Sequence, residues 1–545
     1  MTEQWDNLTD VLVAGSGAAG LATAITAADA GLDVLVVEST PKWGGTTAVS
    51  GGGVWAPANP LMLRAGVQDS KQEALRYMEE TIGDVGPASS PERREAFLDG
   101  VPEVVRLLGR LGVRWRRCPD YPDYYPDLPG GKIGRSLEVA PFDTRRLGDW
   151  YASSRAAEGM PAPVMTDDVW QLVRAWSTPG GFVRGARFVF RTLGGLATGK
   201  RLVGMGGALA CSLMNIVRNQ QTPVWLSSPL VELVIENGAV VGAVVDRNGR
   251  RVRVRARRGV MLAAGGFAHN REWRMKYHGI PGYSSAPKGD LGTAIDIGAR
   301  AGAALELMDD AWWGAAAVGP NGRSAFVLSE RSMPFSIVVD ATGERFTNES
   351  ASYIDFGHAM LAHPVQGPFW LIGDARHTRR YLPIAYLGRT KKWLAAGIIV
   401  DAPTLDELAR KLDMDPARLT ATVERFNGFA HTGVDADFGR GGTAYDNYYG
   451  DPLVKPNPNL GPLERGPFRA LRLHPGDLGT KGGLLTDADA RVLREDGTPI
   501  PGLYAAGNTT ASVMGRTYPG AGSTLAPALV FGHRGARHAA ATDPR

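Results

Sequence analysis

Short apolar runs separated by a glycine-rich break open the chain. Residues 10–14 form an apolar, β-branched run that is typical of a buried parallel strand. A glycine-rich turn follows at 15–20, residues 21–30 have helical character, and residues 32–38 form a second apolar run. This order predicts a βαβ unit. Residues 11–28 also match a membrane span in length, but their glycines and flanking turn signals favour strand, turn and buried helix.

The turn in this unit carries a G-x-G-x-x-G sequence formed by Gly15, Gly17 and Gly20. The first glycine permits a tight turn, the second lets backbone N–H groups reach a pyrophosphate, and the third lets the helix pack on the strand. The phosphates would lie at the positive end of the helix. Glu38 ends the second strand, where its carboxylate can accept hydrogen bonds from ribose hydroxyls. The series predicts dinucleotide binding.

The rest of the chain favours FAD over NAD. Residues 44–53 supply small and hydroxyl side chains for a pyrophosphate and an isoalloxazine. Glycine turns after apolar runs at 259–266 and 502–507 complete the layout of two-dinucleotide-fold flavoproteins, without a second G-x-G-x-x-G unit for NAD(P)H. We therefore expect hydride from a substrate, or electrons from a partner. The predicted cofactor contacts are Gly15, Ser16, Gly17, Ala18, Ala19, Gly20, Glu38, Gly45, Thr46, Thr47, Ser50, Gly51, Gly52, Gly53, Ala264, Gly265, Gly507, Asn508, Thr524 and Leu525.

The remaining pattern predicts an α/β fold with two domains. Between residues 225 and 263, two Asn-Gly pairs separate three β-rich stretches, which predicts type I′ turns and an antiparallel β-meander. Residues 306–467 are richer in aromatics and contain helical segments such as 405–412. We expect a Rossmann-like FAD-binding domain with this meander, formed by 1–305 and 468–545, and an inserted mixed α+β catalytic domain at 306–467. A helix is predicted over about 524–540.

Composition and charge narrow the class of protein. The chain has 70 glycines in 545 residues, or about 13%, whereas proteins average about 7%. This excess indicates places where the backbone approaches a ligand closely. The formal charge of +4 is diffuse, so no nucleic-acid partner is expected. Cys118 and Cys211 have no metal-ligand spacing. We expect no metal, two buried thiols and a reducing cytoplasm.

Three tyrosine-containing segments resemble the 3-ketosteroid Δ1-dehydrogenases of the fumarate reductase/succinate dehydrogenase flavoprotein superfamily. They are PDYYP at 122–126 with GRS at 134–136, NESASYIDF at 348–356, and GRTYPGAG at 515–522. The linking stretches 477–484 and 502–509 also look like this family, and the resemblance covers nearly the whole chain. It implies a 3-keto-4-ene steroid substrate that loses hydrogens from C1 and C2. It also implies non-covalent FAD, because 46–55 lacks the histidine to which complex II flavoproteins attach it.

The resemblance also implies the roles of four residues. Tyr353 matches the base that takes the C2 proton, and Tyr124 matches the tyrosine that hydrogen-bonds to the base and relays the proton. Tyr518 and the Gly522 backbone N–H would donate to the C3 oxygen. The C2 proton is acidic because the C3 carbonyl can become an enolate, so a base and an oxyanion stabiliser are both needed. A free tyrosine has a pKa of about 10, and most of the chain's 15 tyrosines are expected to be structural.

Residues 170–205 depart from the family's shorter members. They contain six basic residues, no acid and interleaved aromatic side chains. Such a segment can lie on an anionic membrane face, which would place the protein on the inner face of the cytoplasmic membrane. An ordinary solvated helical lid is the equally weighted alternative.

Other functions stay open at this point. One is Δ4-(5α)-3-ketosteroid dehydrogenation, and another is fumarate reduction, for which Arg516 would be the substrate clamp. A third, of a different class, is a non-catalytic flavin electron-transfer subunit. The electron acceptor is unknown, with a quinone as one candidate.

Overall fold

A computed structural model of the chain describes residues 4–158, 162–365 and 367–545. The strands are β1 Asn7–Ala14, β2 Val34–Val37, β3 Val54–Trp55, β4 Trp115–Arg117, β5 Ser136–Val139, β6 Phe142–Asp143, β7 Leu202–Val203, β8 Val224–Trp225, β9 Leu230–Glu236, β10 Ala239–Arg247, β11 Arg250–Leu262, β12 Leu305–Glu306, β13 Ala311–Val318, β14 Ser324–Phe326, β15 Ser336–Val339, β16 Phe369–Gly373, β17 Ile399–Ala402, β18 Phe468–Thr480, β19 Gly483–Leu484, β20 Arg491–Leu493 and β21 Pro499–Ala505.

The helices alternate with these strands, which confirms the predicted α/β class. They are α1 Ala18–Asp29, α2 Pro60–Arg64, α3 Lys71–Ile82, α4 Pro91–Arg110, α5 Thr166–Leu172, α6 Pro179–Ala197, α7 Met205–Asn219, α8 Arg271–His278, α9 Thr293–Arg300, α10 Ser329–Ser332, α11 Tyr353–Ala362, α12 Ala375–Arg380, α13 Thr390–Ala395, α14 Leu405–Lys411, α15 Pro416–Thr432, α16 Ala444–Tyr449 and α17 Leu525–Ala541. Across the described ranges, none of these helices combines the length and the apolar character that crossing a bilayer requires.

An eight-stranded sheet forms the first domain, in the order β20-β21-β11-β1-β2-β8, with β10 paired to β11 and β9 paired to β10. The predicted meander is present, and its turns have positive φ at both central residues, 50° and 76° at Asn237 and Gly238, as type I′ turns require. Its third strand and the predicted glycine strand form one element, β11. The first part of β11 pairs with β10, and its last residues pair in parallel with β1 and β21.

The C-terminal segment returns to this sheet, as predicted. β21 lies beside β11, and α17 packs against α1. The helices approach closely: a Cβ at Gly532 would lie 2.5 Å from the carbonyl oxygen of Ala19, and the Thr23 hydroxyl donates to the Gly532 carbonyl at 3.1 Å. This packing holds the start of α17 beside the G-x-G-x-x-G turn.

The inserted segment forms a second, six-stranded sheet in the order β14-β13-β18-β16-β15, with β17 paired to β18. β18 pairs with β13, β16 and β17, although it lies beyond the expected boundary at 467/468. That boundary is therefore misplaced, and the inserted sheet extends to Thr480. The apolar pattern of 468–480 fits a strand of either domain, and only long-range pairing assigns it to this one.

Candidate active site

The glycine turn between β1 and α1 has the geometry of a phosphate-binding turn. Gly15 has a φ of 109°, and a Cβ there would lie 2.2 Å from the carbonyl oxygen of Ala263. A Cβ at Gly20 would lie 2.0 Å from the Gly15 carbonyl oxygen, so both positions require glycine. Gly17 caps α1, and a Cβ there would meet only the Thr47 hydroxyl oxygen, at 3.7 Å. The turn is therefore tight at its ends and open in the middle.

Hydroxyl groups and one acid connect this turn to its neighbours. The Glu38 carboxylate, just after β2, accepts hydrogen bonds from the Ser16 hydroxyl at 2.7 Å and the Thr40 hydroxyl at 2.9 Å. The Thr47 hydroxyl accepts a bond from the Ala18 amide at 2.9 Å. The predicted acid therefore lies at the ends of the strands, beside the first turn of α1.

The loop 45–53 packs between the glycine turn and the C-terminal segment. A Cβ at Gly45 would lie 3.4 Å from the Cα of Gly17, and one at Gly522 would lie 2.3 Å from the carbonyl carbon of Gly53. The backbone of Gly522 therefore lies directly against this loop. The other predicted residues of the loop lie between Gly45 and Gly53: Thr46, Thr47, Ser50, Gly51 and Gly52.

Two further turns reach the same region. The Thr509 hydroxyl donates to the carbonyl of Gly265 at 2.9 Å, which joins the turn after β11, with its neighbour Ala264, to the turn after β21. A Cβ at Gly507 would lie 3.2 Å from the Cβ of Ala19. The turns thus converge on the first turn of α1.

A narrow cavity lies before α17. Its lining includes Gly507, Asn508, Thr524 and Trp312, and Leu525 begins the helix. The structure therefore brings the predicted cofactor residues from both ends of the chain to one region.

Two charged residues of this region were missed by the sequence prediction. A Cβ at Gly265 would lie 2.1 Å from Asp290 Oδ1, and the buried Asp290 Oδ2 has no hydrogen-bond partner in the described residues. Burial raises the pKa of Asp290 to about 7. Arg155 donates to the Thr40 hydroxyl at 2.8 Å, and its buried Nε also lacks a partner within the described ranges. A turn-rich run at 287–292 is the only local signal near Asp290.

Tyr124, Tyr353 and Tyr518 meet in one buried aromatic cluster. The ring centroids of Tyr353 and Tyr518 are 4.9 Å apart, those of Tyr124 and Tyr518 are 5.2 Å apart, and those of Tyr124 and Tyr353 are 5.5 Å apart. The three residues come from a loop before β5, the first turn of α11 and the loop before α17. The structure therefore assembles side chains that are far apart in sequence.

The hydroxyl contacts differ from the predicted ones. No direct bond joins Tyr124 to Tyr353 in the parts of the chain that are described, and the rings meet edge-to-face at 81°. The Tyr124 ring instead stacks beside that of Tyr121, with ring centroids 6.5 Å apart, and Tyr121 opposes the rise in the pKa of Tyr124 that burial causes. The Tyr518 hydroxyl accepts a bond from the Thr524 hydroxyl at 3.1 Å. Hydrogen bonding between the Tyr353 and Tyr518 side chains raises the pKa of Tyr353 and opposes the rise at Tyr518, so these two phenols are polar neighbours of each other.

Burial sets the acid–base state of the cluster. It raises the pKa of Tyr353 well above 10, and the neighbouring Tyr124 and Tyr518 raise it further. It also raises the pKa of Tyr518, although the bond from Thr524 opposes this shift. The phenols are therefore neutral at pH 7 and each can donate a hydrogen bond. A phenol can act as a base here only if its charge is stabilised as it forms.

The loop that carries Tyr124 is held by a buried ionic triad. Arg135 donates to Asp123 Oδ2 at 2.7 Å and to Asp69 Oδ1 at 2.7 Å, and all three side chains are buried. The Tyr124 amide donates to the carbonyl of Pro519 at 2.9 Å. The triad and this bond fix the Tyr124 loop against the loop that carries the expected oxyanion donor.

Lys481 holds the Tyr518 loop from the other side. Its buried ammonium donates to the carbonyl of Thr517 at 3.0 Å and lies 3.5 Å from Asp310 Oδ2. It also lies 4.7 Å from the ring centroid of Trp312, which contacts Tyr518 at 5.3 Å. Burial lowers the pKa of Lys481 to about 8, although Asp310 opposes the shift. The sequence indicated this segment only through its resemblance.

Arg516, the candidate clamp for a dicarboxylate, is directed elsewhere. It donates to Asp309 at 2.9 Å, and its side chain is 45% exposed. The hypothesis of fumarate reduction therefore loses Arg516, the one residue that supported it.

Comparison with known proteins places this site in a family. The model of the "FAD binding domain" family matches residues 10–525. A 3-oxosteroid 1-dehydrogenase of Mycolicibacterium smegmatis is 45% identical over 98% of this chain and 97% of its own length. The crystal structure of a 3-ketosteroid Δ1-dehydrogenase from Sterolibacterium denitrificans, in complex with 1,4-androstadiene-3,17-dione, covers 98% of this chain and 100% of its own, with a TM-score of 0.92 and 38% identity. A 4-oxocyclohex-2-ene-1-carboxylate 5-dehydrogenase of Sinomonas cyclohexanicum is 38% identical over 97% of this chain and 93% of its own length.

The fold and site thus define an FAD-dependent oxidoreductase. Within that class, the chain belongs to the 3-oxosteroid 1-dehydrogenase family. The cofactor fits the residues present. The middle of the glycine turn is open at Gly17. Among the described residues, Asp290 Oδ2 and Arg155 Nε have no hydrogen-bond partner, and they are suitable partners for a ribose hydroxyl and a phosphate.

Proposed function

We propose that this enzyme dehydrogenates 3-keto-4-ene steroids between C1 and C2, giving 1,4-diene-3-ones, in steroid degradation. The observation that carries the proposal is the convergence of Tyr124, Tyr353 and Tyr518, with ring centroids 4.9–5.5 Å apart. The contact between Gly522 and Gly53 supports it, because that contact brings an amide of the substrate site to the cofactor loop.

The oxyanion is stabilised by two donors. The Tyr518 hydroxyl and the Gly522 N–H donate to the C3 oxygen, and they strengthen these bonds as the carbonyl gains enolate character. The bond from Thr524 to Tyr518 occupies an acceptor site of the phenol and leaves its proton free to donate. This polarisation makes the C2 proton acidic.

Tyr353 takes that proton while its own hydroxyl proton passes to a neighbouring phenol, so that Tyr353 stays neutral. The C2–H electron pair forms the C1=C2 bond as the C1–H bond breaks, and C1 loses its hydrogen with two electrons. FAD supplies the acceptor for this hydride when bound. The residues proposed to hold it are those of the glycine turn, the loop 45–53 and the turns before α17, with Asp290 and Arg155 added. The absence of histidine from 46–55 supports non-covalent binding.

A chain of phenols can carry the proton away from Tyr353. Its proposed members are Tyr124, in ring contact with Tyr353 but not bonded to it directly, Tyr121, stacked beside Tyr124, and Tyr449, whose hydroxyl is bonded to that of Tyr121. The first transfer requires the hydroxyls of Tyr353 and Tyr124 to come together when the steroid binds. Transfer along this chain leaves Tyr353 uncharged, so the burial that raises its pKa does not oppose the step. Tyr124 is the first member of the relay.

We also propose where the enzyme works. The segment 170–205 lies on the inner face of the cytoplasmic membrane, where steroids dissolve, and a quinone reoxidises the flavin. The free, buried Cys118 and Cys211 support a reducing compartment.

The test is anaerobic mixing of the purified yellow protein with androst-4-ene-3,17-dione while flavin absorbance is followed. We expect bleaching together with the absorbance of a 1,4-diene-3-one. Bleaching only by a 5α-saturated steroid would instead favour Δ4 chemistry, and bleaching only by 4-oxocyclohex-2-ene-1-carboxylate would favour a small cyclic acid. Bleaching only by a partner protein would favour an electron-transfer subunit. Each of these three results contradicts the proposal.

A further inference from the structure

A buried ammonium group lies beneath the loop that carries Tyr518. Lys481 directly follows β18, and its side chain is fully buried. Its ammonium donates to the carbonyl of Thr517, the residue before Tyr518, at 3.0 Å. Its own carbonyl accepts a bond from the Ser512 amide at 3.1 Å. Two hydrogen bonds therefore join Lys481 to the segment that ends in the proposed oxyanion donor.

Asp310 connects this ammonium to the helix of the proposed base. Oδ2 of the Asp310 carboxylate lies 3.5 Å from the Lys481 ammonium, and Oδ1 lies 2.9 Å from His358 Nε2. His358 is on α11, the helix that begins with Tyr353. One buried carboxylate therefore stands between the loop of the oxyanion donor and the helix of the base.

Trp312 connects the same ammonium to the tyrosine cluster and to the cofactor region. The Lys481 ammonium lies 4.7 Å from the centroid of the Trp312 ring. That ring meets Tyr518 at 86° with centroids 5.3 Å apart, and its N–H donates to Asn508 Oδ1 at 3.3 Å. A cation attracts the face of an indole ring, and it attracts the Asp310 carboxylate. A neutral amine would lose both attractions, so the packing around Tyr518 depends on the charge of Lys481.

We infer that Lys481 is a positioning residue of the proposed dehydrogenation, and that its charged form holds the Tyr518 hydroxyl toward the C3 oxygen. It acts through Thr517 and Trp312, without contact with the steroid. The inference rests on the proposed function and deepens it, because it makes the oxyanion donor depend on a proton that is held outside the tyrosine cluster.

The inference gives turnover a limit at alkaline pH. Burial lowers the pKa of Lys481 to about 8, with Arg516 acting in the same direction and Asp310 and Asp355 against it. As the pH rises through this value, the ammonium releases a proton to water and becomes a neutral amine. The charged form is present below about pH 8, so kcat/KM should fall above it, by about tenfold for each further pH unit.

The experiment measures kcat/KM of the FAD-loaded enzyme with androst-4-ene-3,17-dione between about pH 6 and 10. Lys481→Arg keeps its charge throughout this range, so its alkaline fall should disappear. Asp310→Asn removes an acid that favours the ammonium, so its fall should begin at lower pH than in wild type. Lys481→Met should lose about tenfold or more of kcat at pH 7 with little change in KM, because the oxyanion bond acts mainly in the transition state.

Lys411→Met is the matched control. Lys411 also donates to a backbone carbonyl, that of Asp401 at 3.0 Å, and pairs with Glu407 at 2.8 Å, but its side chain is 44% exposed. Its loss should leave the pH profile unchanged. The same alkaline fall in Lys481→Arg as in wild type would overturn the inference, and so would normal kcat in Lys481→Met. If Lys481→Arg is inactive at every pH, the Asp310→Asn profile decides: an unshifted fall there contradicts the role.

Thermal unfolding without steroid separates this inference from the proposed function. Folded Lys481 releases its proton near pH 8, whereas a lysine in the unfolded chain keeps it until about 10.4. The unfolded state therefore binds more protons between these values, and wild type should gain stability relative to Lys481→Met as the pH rises through them. The absence of this gain would overturn the inference. A gain in an enzyme that does not turn over the steroid would place the failure in the proposed function.

Discussion

Removing the Tyr353 hydroxyl tests the proposed base. Tyr353→Phe keeps the ring contacts with Tyr124 and Tyr518 but removes the proton acceptor. We expect kcat with androst-4-ene-3,17-dione to fall about 10²–10⁴-fold, the range for a general acid–base group, with FAD content unchanged. Tyr386→Phe, at a buried tyrosine of the inserted domain outside the cluster, is the control. Normal turnover by Tyr353→Phe would place the base elsewhere.

The Tyr518 hydroxyl tests the oxyanion site separately. Tyr518→Phe removes one donor to the C3 oxygen and leaves the Gly522 N–H in place. We expect kcat to fall about 10²–10³-fold with a small change in KM, because the bond strengthens mainly in the transition state. Steady-state kinetics at saturating steroid measure the difference. A change confined to KM would show that Tyr518 only binds the ground state.

At the scale of residues, sequence spacing and family resemblance predicted different parts of the site. The glycine turn and Glu38 followed from spacing alone, because a strand, a tight turn and a helix impose that order. The three tyrosines depended on resemblance, since nothing local distinguishes them from the other tyrosines of the chain. Asp290 and Arg155 could not be predicted from local patterns. Arg155 donates to Thr40, more than 100 positions away in sequence, and Asp290 lies beside Gly265, which is in another loop.

The loop between β4 and β5 gives a prediction at the scale of elements. Arg135 is fully buried between Asp69 and Asp123, and burial raises the pKa of Asp123 to about 6 against the effect of Arg135. Arg135→Met leaves two buried carboxylates without a cation, although Trp55 still donates to Asp123 and the amide of Ala58 to Asp69. We expect the free energy of unfolding to fall by about 3–5 kcal/mol and kcat to fall as the Tyr124 loop loosens. Urea unfolding and steady-state kinetics measure the two effects.

Arg410→Met is the matched control for Arg135→Met. Its partner Asp406 is one turn away on α14, and the two side chains are 67% and 52% exposed, so the loss should stay below about 1 kcal/mol. Similar losses in the two variants would contradict a special contribution from the buried triad. Rescue of activity by Arg135→Lys would indicate that charge alone is sufficient.

Elements were predictable where a local rule decides them. The Asn-Gly pairs predicted both hairpin turns of the meander, because few residues other than glycine and asparagine tolerate positive φ at both positions. The assignment of residues 468–480, which form β18, to the FAD-binding domain was wrong, because strand partners are set by long-range pairing. The continuity of β11 was missed for the same reason: its two halves pair with different neighbours.

At the scale of the whole molecule, the chain's two ends and its insert meet at one site. The return of α17 to α1 could be predicted from the strand and glycine turn that precede it. The orientation of α6 could not, since the sequence counts six cations toward a membrane while the structure turns Arg184 and Arg191 inward. The proposed membrane contact of 170–205 should therefore depend more on the apolar side chains of this segment than its six cations imply.

The coupling of cofactor binding to global stability gives the last prediction. Burial raises the pKa of Asp290 to about 7 in the folded protein, against about 3.9 in an unfolded chain. The folded apoprotein therefore binds this proton more tightly, and the resulting stability is present below pH 4 and lost as the pH rises through 7. Asp290→Asn does not titrate, so its advantage over wild type should grow with pH, to roughly 4 kcal/mol at pH 8.

Thermal unfolding of wild-type and Asp290→Asn apoprotein between pH 5 and 8 measures this advantage, with the exposed Asp149→Asn as the control. Bound FAD should reduce the advantage of Asp290→Asn. A cofactor hydroxyl that donates to the Asp290 carboxylate favours its charged form, and the variant cannot form this charge-assisted bond. The same substitution should thus stabilise the apoprotein at pH 8 and weaken its affinity for FAD. A stabilisation that is independent of pH would show that Asp290 is already charged in the folded apoprotein at pH 5, as it is in the unfolded chain. An unchanged FAD affinity would remove it from the cofactor site, and these two results together would leave the glycine turn and Glu38 to hold the cofactor without it.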